Sequence, residues 1–377
     1  MSNRKLTVLG VVAVLMAGWA VLQSRISGTM NRADFSSSAL IEGLQIEAVS
    51  AITVTSEKGE NTMTLSRAGA GFVVTDKDNY PADVATINGL FNGCLDIRTQ
   101  EKITDNPDNH ADLEVTVETA KSVVTFLDSA GGEIVGVALS KSNDNNEAFV
   151  RLLSEASVYS IQYPPQINAH PMDYVDAQLL QVPQVQLSSV AVRTGEDRYV
   201  LAASEDGSDI VLQDMPAGKQ YKGTDYKTVF GALSSLRCQD VVSAENAPEE
   251  LEFDSVYTCK LKDKTVYKLT LAHKDETTYV KLAAEFLGQT PTKEQGVESE
   301  EQLKEKEAIL LAIDAVNQFN QKHSGWVYQI AGPGAGNLMK PLSELLEDVP
   351  EPEIEGGIIE ETAGMKSVFD TAPSSDQ

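Results

Sequence analysis

Ala148-Phe149-Val150-Arg151-Leu152 and, 130 residues later, Thr278-Tyr279-Val280-Lys281-Leu282 share one pattern: an aromatic, a valine, a cation and a leucine in fixed succession. The alternation of apolar and polar positions predicts a strand in both places. Each stretch has a second strand signal after it, Val158-Tyr159-Ser160-Ile161 in the first case and Val327-Tyr328-Gln329-Ile330 in the second. The match extends backwards as well. Val49-Ser50-Ala51-Ile52-Thr53-Val54-Thr55 returns as Leu187-Ser188-Ser189-Val190-Ala191-Val192, and the helix start near Tyr80-Pro81-Ala82-Asp83 returns near Tyr226-Lys227-Thr228-Val229. Several matches in the same order predict an internal duplication.

The expected architecture is therefore α+β, a tandem duplication of a module made of an antiparallel sheet and one long helix. The first module is read over residues 44–181 and the second over 182–346. Met63–Ser66 and Gly71–Val74 continue the first meander, and Tyr199–Ala202 with Ile210–Leu212 continue the second. In the first helix Val84, Ile87, Phe91, Cys94 and Leu95 recur at helical spacing behind Asp83, which can cap the helix or lie in its first turn; Val229, Leu233 and Leu236 echo them in the second. Strands are also predicted at Val115–Val117, Val123–Leu127 and Ile134–Leu139. Short helices ending in leucines are predicted at Asp176–Leu180 and Leu342–Leu346.

Only the second module carries an insertion, residues 288–324. From about Ser299 it reads as a charged helix on which Leu303, Ile309, Leu310, Ile313, Val316 and Phe319 form an apolar stripe. Such a stripe either packs on the parent sheet or docks a partner. Residues 347–377, with nine acidic residues against Lys366, read as a solvated acidic tail.

The N-terminus is of another kind. Arg4 and Lys5 precede an uncharged run from Leu6 to Leu22, with Arg25 restoring polarity and residues 28–43 forming a linker. Leu6, Val8, Leu9, Val11, Val12, Val14, Leu15, Trp19, Val21 and Leu22 would build a single transmembrane anchor, short but sufficient, with the basic start in the cytoplasm. Gly18-Trp19-Ala20 leaves a cleaved signal peptide as the rival reading. Either way the remainder lies outside the cytoplasm, with the inner membrane and periplasm as the expected location. At a formal net charge of −26 the chain has no general attraction for phosphate backbones, so nucleic acid is not an expected partner. Cys94, Cys238 and Cys259 show no metal spacing; Cys94 and Cys238 read as small buried residues at the ends of two helices, with a Cys238–Cys259 disulfide as the alternative.

With its N-terminal anchor, Tyr80-Pro81-Ala82-Asp83, Ala148–Leu152, Val158–Ile161 and Gly325-Trp326-Val327-Tyr328, the sequence resembles the bacterial domain of unknown function 4340 (DUF4340) family over nearly all of residues 1–346. It departs from the family pattern at Ala111-Asp112-Leu113-Glu114, where a Gly-Leu-Asp-type loop is usual, and at Phe72, where a tryptophan is frequent. The resemblance implies an auxiliary component of an ABC-type transport system of the gliding kind, touching the permease, the ATPase and other auxiliary subunits. It brings no catalytic residues.

Nothing else in the sequence points to an enzyme, a cofactor or a metal. His110, His170, His273 and His323 lie at no zinc-binding spacing. Gly332-Pro333-Gly334-Ala335-Gly336 lacks the Lys-Ser/Thr of a phosphate loop and reads as a turn. Asp76-Lys77-Asp78-Asn79 and Asn143–Glu147 offer oxygen ligands for calcium but fit turns better. No nucleophile elbow is present. The expected function is non-catalytic and works through protein–protein contact. An envelope scaffold and an unrecognised hydrolase are the alternatives.

Overall fold

The computed structural model describes residues 38–291 and 299–350. The anchor expected over residues 6–22 and the tail beyond residue 350 lie outside these residues. None of the described helices is long and apolar enough to cross a membrane.

In the first half the strands are β1 (Ala51–Ser56), β2 (Asn61–Ala68), β3 (Gly71–Val74), β4 (Tyr80–Pro81), β5 (Lys102–Thr104), β6 (Ser122–Leu127), β7 (Glu133–Leu139), β8 (Glu147–Leu152) and β9 (Val158–Gln162). They form a nine-stranded sheet in the order β4-β3-β2-β1-β6-β7-β8-β9-β5. In the second half β10 (Leu187–Thr194), β11 (Asp197–Ala203), β12 (Ile210–Leu212), β13 (Asp240–Ser243), β14 (Ser255–Leu261), β15 (Thr265–Lys274), β16 (Thr277–Phe286) and β17 (Trp326–Ile330) form an eight-stranded sheet. Its order is β12-β11-β10-β14-β15-β16-β17-β13. Without the short edge strand β4, the two sheets place their strands in one and the same sequence. Neighbouring strands in both are antiparallel.

Alternation decides which face of each sheet is buried. In β1 Ile52 and Val54 are fully buried and in β10 Val190 and Val192 are, while the residues between them point the other way. One continuous apolar core runs through both halves. In the first half α1 (Val84–Leu95) closes it with Ile87, Leu90, Phe91 and Cys94. Of the two places open to it, Asp83 takes the N-cap of α1, accepting from the Thr86 N–H at 2.8 Å, and Phe91 stacks on Phe126 with centroids 5.3 Å apart.

The second half departs from the expected long helix. α2 spans only Asp225–Phe230, and a 3-10 turn follows over Ala232–Ser235. Gly231 interrupts the helix, and Tyr257 Oη donates at 2.8 Å to the Val229 carbonyl that the shortened helix leaves open. Three further expectations are corrected. Gln178–Leu180 is a strand paired with Leu236–Arg237 and not part of a helix. Val115–Val117 lies in a run of turns. Glu347 and Asp348, read as the start of the tail, pair with Gln220 and Lys219.

Candidate functional site

The inserted segment forms α3 (Glu300–His323). A capping box starts it: Ser299 Oγ accepts from the Gln302 N–H and Gln302 Oε1 accepts from the Ser299 N–H. Glu300 and Glu301 at the first turn and Lys322 at the last agree with the helix dipole.

The two ends of α3 do different things. β17 pairs with β16 only at residues 278–280, leaving the outer edge of β16 open from Lys281 onward. Asn320 repairs part of that edge, accepting from the Ala284 N–H and donating to the Ala284 carbonyl, both at 2.8 Å. It thereby imitates a ladder partner on an edge that would otherwise invite another strand. Phe319 meets the Tyr267 ring edge-on at 5.1 Å. Val316 is 7% exposed.

Towards its N-terminus the helix stands away from the sheet over a polar cleft of about 340 Å³, between Lys264, Gln289 and Ile309. Leu303, Leu310 and Leu311 are 53%, 54% and 63% exposed. Ile309 and Ile313 are half-buried. The predicted stripe is therefore two faces: Ile309, Ile313, Val316 and Phe319 turn inward, while Leu303 and Leu310, two turns apart, face solvent.

The C-terminal end of α3 also seals the junction between the halves. His323 is 2% exposed, and its Nδ1 lies 2.7 Å from Tyr328 Oη, which lies 3.4 Å from Tyr80 Oη. Burial, reinforced by the neighbouring Lys322 and opposed by Asp176, pulls the His323 pKa down to about 4. The imidazole is therefore neutral at pH 7. Burial likewise raises the Tyr80 and Tyr328 phenols. Around this core sit Lys322–Asp176 at 2.8 Å and Lys77–Asp240 at 2.6 Å. Asp78 accepts from the Ser243 N–H and from Asn246 Nδ2, each at 2.8 Å. The Ser243 bond is the main reason its pKa lies below the usual carboxylate value.

The other candidate residues take structural places. Asp76 accepts from the Thr64 N–H at 2.8 Å, and Asn143 Oδ1 from the N–H groups of Asn145 and Glu147. Cys94, Cys238 and Cys259 are buried free thiols, pushed up by burial to about 12, 11 and 12. His110 is buried with Nε2 2.9 Å from the Ala156 carbonyl. Among the described residues no group of three or more His, Cys, Asp or Glu side chains converges to hold a metal. The junction was not legible as a site, because its partners are far apart in the chain and no local spacing announces them.

No curated protein matches the chain. A family model described as Domain of unknown function (DUF4340) matches residues 73–256, from β3 of the first sheet to the beginning of β14 in the second. This is a narrower span than the resemblance implied, and over it the chain carries the DUF4340 domain.

Proposed function

We propose that this is a non-catalytic, membrane-anchored protein of the bacterial envelope, an accessory of an ABC-type transport system that works by holding a partner subunit. Its two halves are read as copies of one duplicated module, a reading supported by their common strand order. Residues 6–22 anchor it in the inner membrane and the sheets lie in the periplasm.

The observation that carries the contact reading is α3. A helix present in one half only, fixed by its C-terminal end, holds Leu303, Leu310 and Leu311 out to solvent. The fold does not need these leucines, and exposed apolar side chains grouped on a fixed helix suit a protein partner. Co-purification from native membranes tests the reading. With Leu303→Ser, Leu310→Ser and Leu311→Ser together, the ATPase and permease subunits that accompany the wild type are expected to be lost while the fold persists. Retention of those subunits would remove α3 from the contact, and their absence from the wild-type preparation would remove the transporter reading. Carbonate extraction with N-terminal sequencing tests the anchor separately, a mature start near Val21 being the contrary result.

A further inference from the structure

The outer face of the second sheet, turned away from the core, is cationic in a chain of net charge −26. Arg193 and Arg198 stand directly opposite each other across β10 and β11, and Lys268 stands opposite Thr258 across β14 and β15. None of these three cations has a side-chain hydrogen bond or ion pair among the described residues. They line a groove of about 540 Å³ together with Ala191, Val200, Val256 and one carboxylate, Asp214.

Two like charges in direct cross-strand register destabilise a sheet unless something answers them. The first sheet avoids this at the matching place: one step in from the hairpin end, Thr55 faces Thr62 and their hydroxyls lie 3.2 Å apart. The Arg193–Arg198 pair is likewise one step in from its hairpin end, Thr194 to Asp197.

We propose that this groove docks the chain's own acidic C-terminal segment, residues 351–377. The chain reaches the groove just before that segment begins. Thr194 Oγ1 donates to the Met339 carbonyl, Tyr199 Oη donates to the Lys340 carbonyl at 2.7 Å, and Leu342 lines the groove. The described residues end at Pro350, and 27 residues follow. At about 3.3 Å per residue that length spans the whole sheet. The composition fits the surface: seven acidic residues against Lys366, interspersed with Ile354, Ile358, Ile359, Val368 and Phe369. Carboxylates answer the arginines and Lys268, and the apolar side chains cover Ala191, Val200 and Val256.

Zero-length carbodiimide coupling in the full-length protein, read by mass spectrometry on a mixture of isotopically light and heavy chains, tests this. An amide between Lys268, or the neighbouring Lys260 on the same face, and a glutamate of residues 351–361 is expected within one chain. Excess synthetic peptide of residues 351–377 should suppress it. Arg193→Thr with Arg198→Thr should lower its yield at least tenfold while the melting temperature stays the same or rises, since the pair then matches that of the first sheet. No such amide, one formed only between chains, or one whose yield changes less than twofold in the variant would overturn the proposal.

Discussion

Arg151 in β8 and Lys281 in β16 occupy matching places in the two sheets, each the fourth residue of the five-residue pattern the two strands share, and they hold their surroundings by different means. Arg151 is 9% exposed and donates to the carbonyls of Val115, Leu152, Leu153 and Glu155. Its Val115 bond ties down residues 105–121, which lie over the outer face of the first sheet, with Val115 and Ala120 packed against Val123, Ala138 and Val158. Lys281 places Nζ 4.1 Å from the centre of the Phe253 ring, at the end of the shorter connection of residues 244–254. The shorter connection leaves Val256 half-buried at the groove, whereas Val123 is buried. The same strand order thus gives one sheet covered on both faces and another covered on one, and the difference lies in a connection and in whether a cation bonds backbone or a ring.

Substituting these two cations has the largest expected difference. Arg151→Ala strands several carbonyls in a buried place and should cost about 3 kcal/mol. Lys281→Ala removes one cation–π contact and should cost about 0.5 kcal/mol. Denaturant unfolding of both variants measures the ratio. Equal costs would mean that residues 105–121 are not held as the geometry indicates.

The junction adds a pH dependence through His323 of α3, a helix without a counterpart in the first half. The folded His323 pKa of about 4 lies below the ordinary value of 6.5. An unfolded chain therefore binds the proton more readily, and the stability contributed by the neutral imidazole is present above pH 6.5 and lost as pH falls towards 4. The full effect is about 3 kcal/mol. His323→Gln, which keeps a partner for Tyr328 Oη, should flatten the profile between pH 6.5 and 4, as read from denaturation midpoints. Carboxylates with depressed values titrate lower. For Asp176, desolvation is the largest influence and opposes the shift, but the bonds from Lys322 and the Gln178 N–H outweigh it. Its loss belongs below the carboxylate range, so the two windows separate.

Joining the halves is worth less per contact. Asp78→Ala removes two charge-assisted bonds to the second half and should cost about 1.5 kcal/mol. If the loss is confined to the junction, amide exchange should quicken at Ser243 and Asn246 but not in β6 to β8.

Strands such as β1, β6, β7 and β8, with α1 and its Asp83 cap, were legible because each rests on neighbours in the chain: alternation in one case, a side chain reaching three residues ahead in the other; β5, β13, β14 and β15 were not read. Val115–Val117 misled because its alternation serves a covering turn held by Arg151, 36 residues away. The leucines of Asp176–Leu180 misled for a similar reason, their partner strand being Leu236–Arg237. The Tyr80–Tyr328 approach spans 248 residues, and no local pattern encodes it. On α3 the apolar positions were legible but their direction was not. Thirteen residues separate Leu303 from Val316, which at about 100° per residue sets them roughly 140° apart around the helix.

That divergence gives the smallest expected change in stability and the sharpest division within α3. Val316→Ala empties space against the second sheet and should cost about 1.5 kcal/mol, since its side chain is buried under the helix. Leu303→Ser and Leu310→Ser remove side chains that remain in water, and each should change stability by less than about 0.5 kcal/mol. If both leucine variants proved as costly as Val316→Ala, the exposed row would be packing against something in the isolated protein and would not be free for a partner. If they are neutral in unfolding and still abolish co-purification of transporter subunits, their contribution lies in the contact. The first half, whose β8 and β9 are joined directly by residues 153–157, supplies the internal control: Val150→Ala should destabilise without any specific loss of partner among the molecules that remain folded.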